Sequence, residues 1–253
     1  GLGIVLAGAV LPLMLDALGP AAWATGWLVI GAISLCFMPL CLWAALQLRP
    51  TLALAGKPVA LPLRAMFPEM AGYAGFGLGY IVYLTFLSAW MTEGASSAGF
   101  IAMVWVLLGL CICVSPLVWR PILMRSASGV PLAMILTGIA IGSALPVLLP
   151  DLLPGGAILL ISAAIFGLCV FMAPGAVTNF TRQNLPAESW GRAIGLYTLI
   201  FAVAQTVGPY GAGLIGDMFH SIGYSLLLAA GLLLIGAMFA LFQKPLRAGT
   251  GSR

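Results

Sequence analysis

Charge is what this sequence has least of. Only 6% of its 253 residues are Asp, Glu, Lys or Arg, ten basic and six acidic, and there is a single histidine. Soluble domains carry about 25% charged residues, because a surface facing water needs them. A globule of this composition could not stay hydrated. Long polar stretches are also missing, which excludes a disordered chain, and the 32 glycines show no Gly-X-Y period, which excludes a collagen-like one. No G-x-x-x-x-G-K-[ST] loop is present, so the chain has no such seat for ATP. The five cysteines, Cys36, Cys41, Cys111, Cys113 and Cys169, all lie in apolar runs, and Cys111-Ile112-Cys113 has no histidine or acid beside it. They read as small apolar side chains within helices rather than metal ligands, and no cofactor is expected. The basic residues are scattered singly, so nucleic acid is not an expected partner.

What is present is hydrophobicity, at 62% of residues and a mean hydropathy of +1.16. A membrane-spanning helix needs about 20 predominantly apolar residues. Runs of that kind, broken by polar or Gly/Pro clusters, predict eight segments at 2–18, 22–47, 67–91, 98–118, 130–150, 155–178, 191–216 and 222–243. The fold class is therefore an all-α polytopic membrane bundle of eight transmembrane helices, with the lipid bilayer as its main solvent. Pro39, Pro174 and Pro209 fall inside segments and should kink them, which packed neighbours in a membrane can absorb.

The cations test the count. If the segments alternate in direction, one side receives 48–66, 119–129, 179–190 and the C-terminal tail. With their adjoining helix ends, these regions hold Arg49, Lys57, Arg64, Arg120, Arg125, Arg182, Arg192, Lys244, Arg247 and Arg253, which is every basic residue in the chain. The positive-inside rule makes that side cytoplasmic, and both Gly1 and Arg253 fall on it. Acids orient weakly: Glu93, Asp151 and Asp217 lie on the other side, Asp16 near it, and Glu69 and Glu188 on the cationic one. The connection 48–66 carries Pro50, Pro58 and Pro62 with three of the cations. It reads as a cytoplasmic linker between a two-helix piece, 1–47, and a six-helix piece, 67–243, followed by a tail at 244–253. Six helices after such a linker match a transporter built from two six-helix halves, and on that reading four helices of the first half precede Gly1.

The seventh segment carries the most informative pattern: Gln205-Thr206-Val207-Gly208-Pro209-Tyr210-Gly211-Ala212-Gly213-Leu214-Ile215-Gly216-Asp217. It resembles the G-Q-x-x-G-P-x-x-x-G-x-x-x-D pattern in the eleventh helix of many major facilitator superfamily transporters, with Ala204 in place of the first glycine. Gly208 and Gly213 suit close helix approach, and Pro209 frees a carbonyl and bends the helix. Gly1-Leu2-Gly3, Gly8, Trp23 and Gly26-Trp27 look like the end of the fifth helix and the turn after it. The run from Gly72 and Tyr73 through Gly75, Gly77, Gly79, Tyr80, Tyr83 and Thr85 looks like the seventh helix of the YbfB/YjiJ-type bacterial branch. The resemblance covers helices five to twelve in order, and so implies a truncated fold of that type in a bacterial inner membrane. One departure concerns the family's G-x-x-x-D-R-x-G-R-R type loop. At 119–129 the sequence keeps Arg125 but has Met124 where the acid would sit, which puts a charge-pair gate in this half in doubt.

The resemblance implies a secondary active transporter that moves a small-molecule solute by alternating access, with its site near the bilayer midplane. The candidate substrate-binding residues are Tyr73, Tyr80 and Tyr83, on one broad face of the third segment, and Tyr197 and Gln205 in the seventh, with Thr198 beside Tyr197. Tyr80 either faces the lumen or hydrogen-bonds within the bundle, and Gln205 either meets solute or ties helices together. Gly208, Pro209 and Gly213 form the helix-packing motif, and Gly75 with Gly79 is a small-xxx-small pair expected to face a neighbouring helix. Asp16, Glu69 and Asp217 fall near helix ends, where a solvated acid costs little, and His220 lies in a connection. A non-transporting scaffold or receptor-like protein is the alternative. A membrane-embedded lipid-modifying enzyme is a weaker one, because it would cluster His, Asp or Glu near one interface.

Overall fold

The computed structural model describes residues 1–48, 60–150 and 152–246. Its helices are α1 (Leu2–Leu18), α2 (Trp23–Leu48), α3 (Leu63–Glu93), α4 (Ala98–Arg125), α5 (Val130–Leu148), α6 (Ala157–Cys169), α7 (Ala173–Asn184), α8 (Trp190–Phe219) and α9 (Ile222–Leu241). No strand occurs among the described residues. In lipid every backbone polar group must be satisfied internally, and only helices do that for a segment this apolar. Seven helical stretches are long and apolar enough to cross a membrane, α6 and α7 counting as one, and the 17-residue Leu2–Leu18 is a shorter apolar helix. The protein is a polytopic helix bundle.

The helices differ from their sequence outlines mainly at the ends. Residues 63–66, expected within the connection, form the first turn of α3, and α4 runs on to Arg125 through Pro116 and Pro121. The rest of that connection, 49–59, and the tail from 247 lie outside the described residues. The sixth segment is divided by a 3-10 turn at Val170–Met172. Pro174 follows directly, and its missing N–H and its ring oppose a continuous α-helix there. Pro39 and Pro209 stay inside α2 and α8. Ser97 and Ser221 cap α4 and α9, their hydroxyls accepting from Phe100 N–H and Gly223 N–H at 3.3 Å each.

The centre is α3 with α9 on one side and α8 on another, α5 backing α9, and α6 joining α5 to α4. Glycine sets these distances. A Cβ on Gly75 would lie 2.7 Å from Gly236 Cα, and one on Gly79 would lie 2.8 Å from Ala229 O, so the α3 and α9 backbones touch. Lipid tails are as apolar as leucine, so such close packing is a main source of helix association. Helix α1 lies on α4, and α2 is the outlier: its one buried residue, Gly26, faces Leu11 and Met14 of α1.

Chain direction puts the described cations at one end of the bundle. There the Gly129 N–H donates to Gln243 O (3.0 Å), Asn184 Nδ2 donates to Ala127 O (2.8 Å), and Leu246 N–H donates to Asn184 Oδ1 (2.7 Å). These bonds gather the start of α5 and the ends of α7 and α9. Arg64, Arg120, Arg125, Arg182, Arg192 and Lys244 all belong to helix ends on that side.

Candidate functional site

Helices α3 and α8 meet along a line that is glycine at some levels and aromatic at others. A methyl on Gly208 would collide with the Leu78 carbonyl oxygen, and a Cβ on Gly77 would lie 2.8 Å from Ala204 Cβ. Gly213 is looser, with only Phe86 Cζ near its Cβ position at 3.9 Å, and Pro209 lies inside α8 beside the close contact. Because the backbones are so near, the rings one or two turns away must lie flat against one another.

Five rings do so. Phe76 stacks on Tyr80 (centroids 4.5 Å), and Phe201 of α8 stacks against Tyr73, Phe76 and Tyr80 at 5.7, 5.7 and 5.5 Å. Tyr197, one turn before Phe201, meets Tyr73 edge-on at 5.6 Å. The Tyr80 hydroxyl donates to Gln205 Oε1 at 3.0 Å. Tyr73, Phe76, Tyr80 and Tyr197 are buried and Gln205 half-buried. Gln205 stands at the margin of this cluster, on the side of α8 that bears the exposed Thr198, Ala202 and Thr206. The Gln205 Nε2, with two hydrogens to give, is the polar group at that margin. The Tyr197 hydroxyl is buried with no hydrogen-bond partner. Thr198 is exposed and turns its hydroxyl back to Ile194 O (2.9 Å).

Four of the five sequence candidates thus come together: Tyr73, Tyr80, Tyr197 and Gln205. Tyr83 does not join them. It stacks on Phe166 of α6 (4.0 Å) and bonds to Ser162 Oγ (2.8 Å), which itself donates to Gly142 O of α5 (2.6 Å). Three residues after Tyr80, it lies round the helix toward α5 and α6. Phe76 and Phe201 complete the cluster and were not singled out in the sequence. Their spacing relative to Tyr73, Tyr80, Tyr197 and Gln205, three to four residues, was the available signal.

The acids separate into two kinds. Asp16, Asp217 and Glu93 are exposed, as is His220, which ends α8 at φ 51°. Asp16 borders a cavity of about 590 Å³ between α1, α3 and α4, lined also by Leu15, Ser88, Thr92 and Trp105. Trp105 Nε1 donates to Ser88 Oγ there (2.8 Å). Glu69 breaks the expectation of a solvated acid at a helix end, for it is 1% exposed. The reason is the earlier start of α3, which carries Glu69 under the adjoining ends of α5 and α9. Among the described residues no group of three or more His, Cys, Asp and Glu side chains could hold a metal ion.

Compared with known proteins, residues 1–241 match the family model described as "Uncharacterised MFS-type transporter YbfB". No curated protein and no solved structure matches the chain.

Proposed function

Because the chain belongs to the YbfB-type family of major facilitator superfamily transporters, we propose that it moves a small solute across the membrane by alternating access, with the solute meeting α3 and α8 at Gln205. The observation that carries this reading is the half-buried Gln205 amide, held by the Tyr80 hydroxyl at the edge of the aromatic stack. Transport sites need a few oriented polar groups on an apolar, rigid wall. Here the wall is Tyr73, Phe76, Tyr80, Tyr197 and Phe201. The Tyr80–Gln205 bond is a side-chain hydrogen bond that joins α3 to α8. That bond occupies Oε1 and holds the amide in place, so a solute that accepts from Nε2 meets an oriented donor at the contact between the two helices.

In this reading helices α3–α9 form one six-helix half, with α6 and α7 as a single span, and α1 and α2 belong to the other half. The cation-bearing end faces the cytoplasm of a bacterial cell. The test is a solute panel screened for thermal stabilisation of the purified protein in lipid nanodiscs, followed by uptake into proteoliposomes. A solute that stabilises and accumulates, and does neither with Gln205→Ala, supports the site. Solute flux unchanged in Gln205→Ala would remove Gln205 from it, and no flux of any solute by well-folded protein would sink the transporter reading.

A further inference from the structure

Glu69 lies in the second turn of α3, at the cation-bearing end, sealed among three helix ends. Gly129, the residue before α5, makes the room: a Cβ there would lie 2.6 Å from Glu69 Oε2 and 2.7 Å from Gln243 Cβ. Gln243, just past α9, is itself buried and bound to backbone throughout. Its Oε1 accepts from Glu69 N–H (3.1 Å), and its Nε2 donates to Ala65 O (3.0 Å) and Lys244 O (2.8 Å). The amide next to the carboxyl therefore has no hydrogen left over for it, and Glu69 Oε2 has no hydrogen-bond partner.

The ionisable neighbours do not supply a charge either. On α3 itself stand Tyr73, buried one turn on, and Arg64, which is exposed. From α8 come Tyr197, buried with its own hydroxyl unpartnered, and Arg192, which is exposed. Arg125 at the end of α4 and Lys244 after α9 are exposed, and α5 contributes glycine. An ionised carboxylate in such a place is an uncompensated buried charge, one of the costliest features a protein interior can hold. The neutral acid carries no such charge.

We propose that Glu69 is a proton-binding site. The seam of α3, α5 and α9 closes around the neutral acid and loosens when the proton leaves, because the carboxylate then draws in water or a cation. The ligand is the proton alone, since a lone carboxyl beside a glycine and a saturated amide offers too few oxygens for a metal ion. The site lies apart from Gln205 and needs no particular solute, so it stands or falls separately from the solute reading.

Infrared difference spectroscopy between acidic and alkaline pH, on the protein in nanodiscs with isotope-labelled glutamate, reads the proton directly. Glu93 and Glu188 are exposed, so the proposal expects a carboxylic-acid band of unhydrated character that is absent from Glu69→Gln. Hydrogen–deuterium exchange then reads the seam. At alkaline pH, the segment carrying the Gly129 N–H should exchange several-fold faster in the wild type than in Glu69→Gln at the same pH, because the amide side chain cannot ionise. No such band in the labelled wild type would overturn the proposal, whether or not Glu69→Gln folds. So would equal exchange in the two proteins. Should Glu69→Gln fold poorly, Glu69→Met, neutral and of similar length, replaces it with the same expected results.

Discussion

Gly208→Ala tests the central contact of the bundle most directly, because the added methyl has no flexible neighbour to displace. Its Cβ would run into the Leu78 carbonyl oxygen, a backbone atom fixed within α3. The two helices must separate or shift along each other. Overpacking of this kind costs about 1–3 kcal/mol, against which alanine recovers up to about 1 kcal/mol of helix propensity over glycine. Because the clash is with backbone, the cost falls in the upper part of that range, and the net expectation is a loss of about 1–2 kcal/mol, roughly a 5- to 30-fold fall in the ratio of folded to unfolded protein. Gly195 and Gly211 lie on the same helix with no heavy atom within 4 Å of their Cβ positions. Gly195→Ala and Gly211→Ala therefore feel only the propensity and should match or exceed the wild type. Equilibrium unfolding in mixed micelles with rising SDS, followed by tryptophan fluorescence, measures all three. Gly208→Ala as stable as the wild type, or no worse than Gly211→Ala, would refute the close contact.

Three other outcomes follow from specific bonds. Ser162→Ala removes the acceptor of the fully buried Tyr83 hydroxyl and a donor to Gly142 O, and should destabilise by about 1–3 kcal/mol. Tyr83→Phe takes away only one hydrogen bond, about 0.6 kcal/mol on the scale measured between membrane helices. The double variant should then be no worse than Ser162→Ala, and additive losses in the same unfolding titration would contradict that geometry. Asn184→Ala cuts its side-chain bonds to Ala127 O and Leu246 N–H. Proteolysis or hydrogen exchange around 126–129 and 244–246 should rise while the Tyr80 region keeps its protection, and a uniform loss of protection would count against a local tie. Tyr80→Phe frees the Gln205 amide from its partner at a stability cost of about 1 kcal/mol or less. Solute-dependent stabilisation should change far more than intrinsic stability, and equal changes in both would make Tyr80–Gln205 a packing bond only.

The membrane bundle was legible in the sequence because its signals are bulk ones: apolar runs of spanning length, and cations confined to alternate connections. Helix ends were less so. Arg64 and Arg120 marked charge, and charge reads as the edge of a span, yet both lie within helices that outrun the apolar core. The site was half legible. Tyr73, Tyr80, Tyr197 and Gln205 are polar or amphipathic residues in apolar helices, rare enough to notice, whereas Phe76 and Phe201 look like any lipid-facing phenylalanine. Tyr83 was grouped with Tyr80 by spacing, but three residues turn a side chain about 60° short of a full circle, and α5 and α6 take up that difference. Glu69 could not be read at all. Its burial depends on Gly129 and Gln243, 60 and 174 residues away along the chain, and no local pattern reports a neighbour so remote.

That remote clustering has a mechanical consequence. In lipid, apolar burial gives helices little reason to associate, so glycine contacts and polar ties carry much of the cohesion. The polar ties are unevenly placed. Asn179 Nδ2 and Gln183 Nε2 both donate to Leu123 O, at 2.6 and 3.2 Å, while Asn184 and Gln243 stitch the remaining ends on the same side. The α3–α8 contact has glycine, stacked rings and the Tyr80–Gln205 bond. Flat ring faces and bare backbone resist separation but oppose sliding weakly, since neither has a directional bond to break. Among the described residues, helix α8 is tied to α3 by Tyr80–Gln205 and to α9 by the Ser225 hydroxyl donating to Ala212 O (2.6 Å). It carries Gln205 at its middle and Tyr197 toward the end where Glu69 is sealed, so any shift of α8 alters the surroundings of both.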